Sequence, residues 1–123
     1  MIYLDKEKTK PVDIKPDENN YYELTGNGTY YVFGDVKVIA RGDVHVYAYD
    51  NSKVYAYYNS TVVAFDNSKV DAYHNSMVEA FNNSRVDAFD ISEVITYGNS
   101  SVEAYGNSRV ESYGNSKLID KRG

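Results

Sequence analysis

The 123-residue sequence contains no cysteine and no tryptophan, and only two prolines and two histidines. Without cysteine the chain can form neither disulfide bridges nor thiolate metal sites, and this composition fits a reducing compartment. No stretch approaches the roughly 18 apolar residues of a membrane-spanning helix. The N-terminus from Met1 to Lys8 alternates in charge and lacks the apolar run of a secretory signal. We therefore expect a cytoplasmic protein, located in the host cytoplasm if a phage encodes it.

Motifs that would support catalysis or cofactor binding are also missing. His45 and His74 occupy different places in the sequence repeat described below, so they form no pair with metal-ligand spacing. Asp50, Asp66 and Asp90 recur at predicted turns, but the glycine-rich nonapeptide of calcium-binding solenoids is absent. The regularly spaced serines have no basic partner at a fixed offset, which a nucleophile would need. We expect no enzymatic activity, no metal and no cofactor.

The sequence does contain an eight-residue repeat, Val-x-Ala-aromatic-x-Asn-Ser-x, in nine consecutive copies from Val46 to Lys117. Clear copies begin at Val54, Val62 and Val102. Serine, valine and alanine alternate with variable residues, which is the period of a strand with one buried face. The pair before each serine is mostly Gly-Asn, Asp-Asn or Asn-Asn, and these residue types tolerate positive φ and bend the chain. Each unit is therefore predicted to be a short strand of about five residues followed by a tight turn.

Repeated short strands stack as a parallel β-solenoid with coils about 4.8 Å apart, and a coil could hold two or three units. The residues that precede the valine decide between these arrangements. In alternate units they are mostly basic: Lys37, Lys53, Lys69, Arg85, Ser101 and Lys117. Taking every third unit instead gives columns of mixed residue types, which argues against three units per coil. The small inward residues also suit a thin roll with two sheets close together. We predict an all-β parallel β-solenoid, a flat two-sided β-roll with about 16 residues and two octapeptides per coil, and about six coils.

The chain ends differ from the regular repeats. From Tyr22 the units keep their turn pair as Gly-Asn or Gly-Asp, as expected for the degenerate end of a capped array. Residues 1–21 are predicted to form an N-terminal cap segment, and residues 22–123 the octapeptide-repeat solenoid. A partly disordered tail is the alternative for residues 1–21.

The two predicted faces differ in chemistry. One carries the basic column beside Asp71, Asp87 and Glu103, and we expect diagonal charge pairs to keep it solvated. The other is apolar and aromatic over on the order of 400–500 Å², which is large for a monomer. We predict that a second copy in a two-fold dimer, or another protein, covers it. Alternatively, the aromatic side chains lie flat and shield their own backbone. The predicted interaction residues are Tyr31, Phe33, Tyr47, Tyr49, Val63, Phe65, Met77, Phe81, Ile95 and Tyr97.

Two ladders of polar side chains are also expected. Asn51 and its equivalents should bond from coil to coil through their amides, and Ser52 and its equivalents should form a buried row of hydroxyls.

The units between Tyr22 and Asp120, such as Val102-Glu103-Ala104-Tyr105-Gly106-Asn107-Ser108-Arg109, resemble the short-period octapeptide β-solenoid repeat proteins of bacteria and phages, whose function is uncharacterised. In architecture they are similar to trimeric adhesin heads and repeat-type ice-binding proteins. The chain lacks the outward threonine rows associated with ice binding. The resemblance therefore implies the fold and transfers no functional residue.

The favoured function is a non-catalytic protein–protein interaction or scaffold role through the aromatic face, including that of a phage or mobile-element inhibitor of a host protein. The alternative is a carbohydrate-binding or adhesin-like structural module that uses its tyrosine rows, with a glycan as ligand. The expected partner is a second copy, another protein, or both, and no membrane. A nucleic acid is disfavoured because the net charge is −5 and the acidic residues alternate with lysine and arginine.

Overall fold

The computed structural model describes residues 2–4 and 16–122. Fourteen β-strands and no helix occur in these ranges. Their bounds are β1 Ile2–Leu4, β2 Tyr21–Leu24, β3 Thr29–Val32, β4 Lys37–Ala40, β5 His45–Ala48, β6 Lys53–Ala56, β7 Thr61–Ala64, β8 Lys69–Ala72, β9 Met77–Ala80, β10 Arg85–Ala88, β11 Glu93–Thr96, β12 Ser101–Ala104, β13 Arg109–Ser112 and β14 Lys117–Asp120. The repeat strands have four residues rather than about five, because the aromatic residue of each repeat follows the last strand residue.

The strands form two seven-stranded parallel sheets. The odd-numbered strands make one, here the odd sheet, and the even-numbered strands make the other, the even sheet. Within the even sheet Val54 lies opposite Val38 on one side and Val70 on the other, a register of 16 residues. This arrangement confirms the predicted parallel β-solenoid, with two octapeptides in each coil and about six coils.

Strand β1 extends the odd sheet beyond the repeats, since Ile2 pairs with Tyr30 of β3 in parallel. Pro16 makes an isolated antiparallel bridge with Tyr22. Most of the predicted cap segment, residues 1 and 5–15, lies outside the described residues.

The core is the thin layer between the two sheets. Inward valines and alanines such as Val54, Ala56, Val62 and Ala64 have no exposed surface. The first coil uses larger inward residues, with Tyr22, Leu24 and Tyr30 buried. Because the repeated inward side chains are small, the two sheets can approach closely, and every other residue must then point outward.

Each turn from Gly26 to Gly114 places one residue in the left-handed region, directly after the aromatic position of the repeat, which Thr25 and Arg41 occupy in two units. Its φ is +62° at Asp50, +61° at Tyr58 and +62° at Gly106. Glycine occupies this position at both ends of the repeat, and Asp, Tyr, His or Asn occupies it in the six central turns. Asparagine and aspartate tolerate this conformation better than other L-residues, so the predicted tight turns are confirmed.

The side chains at this left-handed position connect neighbouring coils. The backbone N–H groups of Gly34, Asp50 and Asp66 donate to the side chains of Asp50, Asp66 and Asn82, over 2.9 to 3.0 Å. The predicted ladder of Asn51-type amides is wrong for the described turns, because these bonds come from the preceding residue. Asn51 and Asn67 contribute their backbone N–H groups instead, to Gly34 O and Asp50 O.

No helix that could span a membrane occurs in the described ranges.

Candidate functional site: the aromatic face of the odd sheet

The outward surface of the odd sheet, here the odd face, carries all ten predicted interaction residues. Each coil presents three outward side chains: the first and third strand residues and the aromatic residue after the strand. Met77 is a first-position residue, and Tyr31, Tyr47, Val63 and Ile95 are third-position residues. The aromatic positions are Phe33, Tyr49, Phe65, Phe81 and Tyr97. In-register pairing therefore aligns these residues in columns along the solenoid axis.

The aromatic positions of the odd face form a continuous ladder of six rings. Neighbouring ring centroids are 4.8 to 5.4 Å apart and the planes differ by 5 to 14°. The odd ladder consists of Phe33, Tyr49, Phe65, Phe81, Tyr97 and Tyr113. The spacing follows from the strand separation, so each inner ring is covered on both faces by its neighbours.

The even sheet carries a shorter ladder that ends in cations. Its four rings, from Tyr57 through Tyr73 and Phe89 to Tyr105, are stacked at 4.9 Å. The guanidinium carbon of Arg41 lies 5.1 Å from the centroid of Tyr57, and Lys121 Nζ lies 5.8 Å from that of Tyr105. These are cation–π contacts. These contacts were not predicted from the sequence, although both basic residues occupy the aromatic position of the repeat in end coils of the same sheet.

The odd face also exposes apolar side chains outside the ladder. Half of the Met77 surface is exposed, and Tyr47, Val63 and Ile95 are half-buried. The alternative reading, in which aromatic side chains shield their own coils, describes the ladder well. It does not account for Met77, Val63 or Ile95, which are not part of any ring stack. The odd face therefore keeps an accessible apolar surface beside its ladder.

A small cavity of about 50 Å³ lies in this apolar part of the odd face. Its walls are Thr61, Met77, Glu79, Glu93 and Ile95, and Val78 also contributes. The Glu79 and Glu93 carboxylates make no ion pair with any described residue. The cavity thus combines apolar walls with two carboxylates, and Arg109 of the next coil lies in register with Glu93.

The charges of the even face act on one another without direct contact. No salt bridge joins Lys69 or Arg85 to Asp71 or Asp87 within the described residues. Lys69 and Lys53 nevertheless oppose the rise in the pKa of Asp71 that its burial and Asp87 cause, in agreement with the predicted diagonal relief. The salt bridges of this face lie at its ends, Arg41 with Glu23 at 3.4 Å and Lys121 with Glu103 at 3.3 Å.

Asp71 has the most perturbed environment in the middle of the even face. Burial raises the pKa of its carboxyl above the usual value, and the Asp87 carboxylate of the next coil raises it further. One carboxylate oxygen, Oδ1, is buried without a hydrogen bond. The in-register pairing of Asp71 with Asp87 thus places two like charges in adjacent coils.

Near the N-terminal end, the even face contains a cluster of Tyr21, Lys53 and Tyr55. The two rings are 5.6 Å apart, and Lys53 Nζ lies 5.0 Å from the centroid of Tyr55. Hydrogen bonds from Lys53 and then Tyr21 lower the pKa of the Tyr55 hydroxyl. The bond to Tyr55 correspondingly raises the pKa of Tyr21. The cluster lowers the pKa of the Tyr55 phenol, but it does not contain a nucleophile paired with a general base.

The repeated serines are buried and stack in register, as predicted, but their hydroxyls do not hydrogen-bond to one another within the described residues. Ser84 and Ser100 donate to the carbonyl oxygens of Phe81 and Tyr97, three residues earlier, at 2.9 and 2.7 Å. Other serine hydroxyls of the repeat, including those of Ser52 and Ser60, are buried without a hydrogen bond.

The described residues contain no group of three His, Asp or Glu side chains that could hold a metal ion.

Comparisons with models of protein families, with characterised proteins and with solved structures find no match for this chain. The similarity to octapeptide solenoids therefore rests on the repeat sequence and the fold alone.

Proposed function

We propose that this protein is a non-catalytic interaction protein that binds through the odd face, with a second copy of the chain as its first partner. The observation that supports this is the apolar surface of the odd face, where Tyr47, Val63, Phe65, Met77 and Ile95 remain partly accessible. Apolar patches of several hundred Å² on soluble proteins commonly mark interaction sites. A two-fold related copy would bury the same patch twice.

Charge on the odd face favours one orientation of such a dimer. The acidic side chains Glu79, Glu93 and Glu111 lie in the C-terminal coils, whereas coils around Tyr47 and Val63 carry no acidic outward residue. If the two solenoids ran in the same direction, these carboxylates would face their own copies and repel. An antiparallel pair centred near Val63 keeps them apart and still pairs the apolar residues.

The carbohydrate-binding alternative gains no specific support. Sugars stack on open aromatic faces, but the inner rings of both ladders are covered on both sides by neighbouring rings. The ladders therefore present the edges of their inner rings, rather than the faces, to solvent. A host protein as partner, the cytoplasmic location and a phage-encoded inhibitor role remain predictions from the sequence.

The test is the double substitution Tyr47→Arg with Phe65→Arg, measured by sedimentation velocity at micromolar concentration. We expect the wild type to associate and this variant to be monomeric. The substitutions would place two charged side chains where the dimer buries apolar ones. The matched control is Tyr55→Arg with Tyr73→Arg, which changes the equivalent positions of the even face and should leave association intact. Circular dichroism and melting curves establish that both variants are folded.

A monomeric wild type at these concentrations would refute self-association through the odd face. A pull-down from the native host with the wild type and both double variants then tests a different protein partner. Equal capture by the wild type and the odd-face variant would refute the odd face as the binding surface.

A further inference from the structure

The last described coil differs from the inner coils in the residues that it points inward. Strands β13 and β14 form this coil, and each is the last strand of its sheet among the described residues. At the inward position that alanine fills in most units, β13 carries Ser112 and β14 carries Asp120. Val110 is only partly buried, and Leu118 is 39% exposed. This end of the solenoid therefore combines accessible apolar side chains with a carboxylate.

Backbone groups of the same coil face outward along the solenoid axis. In a parallel sheet, successive residues direct their N–H and C=O groups alternately to the two neighbouring strands. The N–H group of Arg109 donates back to Ser92 O of the preceding coil. Val110 and Ser112 must then direct their groups to the other side, where the described residues place no strand. We call this side the C-terminal edge. An open edge of this kind can pair with a strand of another chain.

Asp120 and Arg122 cover part of the C-terminal edge, and we call their ion pair the end clasp. The guanidinium donates to the carboxylate twice, from Nε to Oδ1 at 2.8 Å and from Nη2 to Oδ2 at 2.9 Å. Arg122 Nη1 also donates to Ser108 O at 2.9 Å. One coil earlier, the equivalent acceptor Ser92 O binds the backbone N–H of Arg109. The guanidinium of Arg122 thus takes the place that a further strand would occupy.

The charge of Asp120 also opposes pairing at this edge. The side-chain and then the backbone hydrogen bonds from Arg122 lower the pKa of the Asp120 carboxyl to about 2. The carboxylate is therefore ionised at neutral pH. Pairing with another strand would bury this inward charge, which is costly, and inward-pointing charges are one means by which proteins protect sheet edges.

The opposite end of the even sheet is closed by other bonds. The N–H of Asp17 donates to Tyr21 O at 2.8 Å, and the N–H of Tyr21 donates to Asp17 Oδ1 at 3.0 Å. Pro16, which has no N–H group, forms an antiparallel bridge with Tyr22. These contacts occupy the outer edge of β2. A second copy would therefore meet the C-terminal edge with its own C-terminal edge, in a two-fold arrangement.

The outward charges of β13 suit this two-fold arrangement. An axis perpendicular to the odd sheet brings the two β13 strands together in antiparallel order. With Val110 opposite its copy, Arg109 of each chain lies opposite Glu111 of the other. Opposite charges at directly facing positions stabilise an antiparallel pair. Leu118 lies at the same end and would lose exposed apolar surface in the contact.

From these contacts we propose that the C-terminal edge is a pairing surface for a second copy of the chain and that the end clasp keeps it closed. Opening requires Arg122 to leave Ser108 O and removes the need to bury the Asp120 charge only if that residue turns outward or is replaced. The inference does not rest on the odd-face dimer, because one surface lies on a face of the solenoid and the other at its end.

The experiment measures association by sedimentation velocity in a background that carries Tyr47→Arg and Phe65→Arg, here the odd-face background. These two substitutions remove association through the odd face. Further substitution of Asp120→Ala with Arg122→Ala gives the clasp variant. It should form dimers in the micromolar range, at least about tenfold more tightly than the odd-face background alone, because the edge is then open and uncharged.

The matched control is Glu103→Ala with Lys121→Ala in the same background. It removes the other ion pair of this end, which joins neighbouring coils on the even face at 3.3 Å and does not cover the edge. Net charge changes as little as in the clasp variant. The control should remain monomeric. Circular dichroism and thermal melting verify that both variants are folded.

An exchange of charges tests the antiparallel register. Glu111→Arg in the clasp variant should weaken dimerisation at least about threefold, because arginines of the two copies then face each other. Adding Arg109→Glu to that chain restores opposite charges at both facing positions. Dimerisation should then return to the level of the clasp variant.

Several results would overturn the inference. A clasp variant that stays monomeric would do so, as would equal association of the control. Assemblies larger than a dimer would contradict the two-fold arrangement, and failure of Arg109→Glu to restore dimerisation would contradict the register. Failure of the odd-face dimer is a separate result, since it appears as a monomeric wild type. Dimerisation of the clasp variant would support the inference in that case too.

Discussion

His74 Nδ1 accepts a hydrogen bond from the backbone N–H of Tyr58 in the preceding coil, over 3.1 Å, while the two rings stack 4.7 Å apart. The backbone N–H of His74 in turn donates to Asp90 Oδ2 at 3.0 Å. Since Nδ1 is the acceptor, the proton of the neutral imidazole is on Nε2. His74 thus belongs to the same series of coil-to-coil hydrogen-bond acceptors as Asp50, Asp66 and Asn82, and its role at this turn is structural.

Substitutions of His74 should distinguish the stability contributed by its hydrogen-bond acceptor from that contributed by its stacked ring. His74→Asn should keep nearly wild-type stability, because Asn82 accepts the same kind of bond from Asp66 N–H and tolerates positive φ. His74→Ala should lose about 1 to 2 kcal/mol through the missing acceptor and the strained backbone. Urea unfolding measures the free energy of unfolding of both variants. Equal stability of the two variants would show that the bond contributes nothing.

The odd ladder should stabilise the fold through ring stacking. Phe81 stacks on Phe65 at 5.2 Å and on Tyr97 at 4.8 Å. Phe81→Leu should therefore lower the free energy of unfolding by about 1 to 3 kcal/mol, since each aromatic pair contributes about 0.5 to 1.5 kcal/mol. Phe81→Tyr is the control and should stay within about 0.5 kcal/mol of wild type, because tyrosine already occupies other ladder positions. A Tyr variant as unstable as the Leu variant would contradict the stacking argument.

Asp71 should make stability depend on pH in the direction opposite to most carboxylates. Its pKa is raised in the folded state, so the folded chain holds this proton more tightly than the unfolded chain. The contribution is favourable below the unfolded pKa of about 4 and is lost as pH rises through the folded value. Asp71→Asn should raise the melting temperature at pH 7, and the gain should vanish near pH 3. A gain of equal size at both pH values would point to packing rather than ionisation. Glu79→Gln serves as the control on the other face.

Tyr55 should ionise at a lower pH than an ordinary tyrosine side chain. Its pKa is lowered chiefly by the hydrogen bond from Lys53. Lys53→Met should raise the pKa of Tyr55, whereas Lys69→Met, one coil further along the same column, should have a much smaller effect. Carbon-13 chemical shifts of the tyrosine Cζ atoms report each titration. An unchanged Tyr55 titration in Lys53→Met would rule out the ammonium as the cause.

The repeat pattern predicted the fold because each inward position is uniform. Serine, valine and alanine at alternate positions determine which side of each strand is buried, and the basic column from Lys37 to Arg85 distinguishes two units per coil from three. The order of the outward residues on both faces follows from these two facts. The aromatic face could therefore be defined by residue number before any coordinates.

Details that depend on side-chain direction could not be predicted in this way. Asn51 and Asp50 are both suited to turns, and only the positive φ of Asp50 shows which one reaches the next coil. Lys69 and Asp71 appear complementary in sequence, but they form no ion pair in the folded chain. The overlap of the rings, which covers their faces, likewise depends on rotamers that the repeat does not encode.

The register of 16 residues also sets the unit in which this protein can change length. Insertion or deletion of one full coil would lengthen or shorten the molecule while every remaining outward residue keeps its sheet and its column. Loss of a single octapeptide would move every following residue to the opposite sheet. If the loss fell between Arg85 and Tyr97, Tyr97 would move to the sheet that carries the basic column, and Arg85 would no longer align with Ser101. Gene rearrangements that preserve this architecture should therefore occur in multiples of 48 nucleotides.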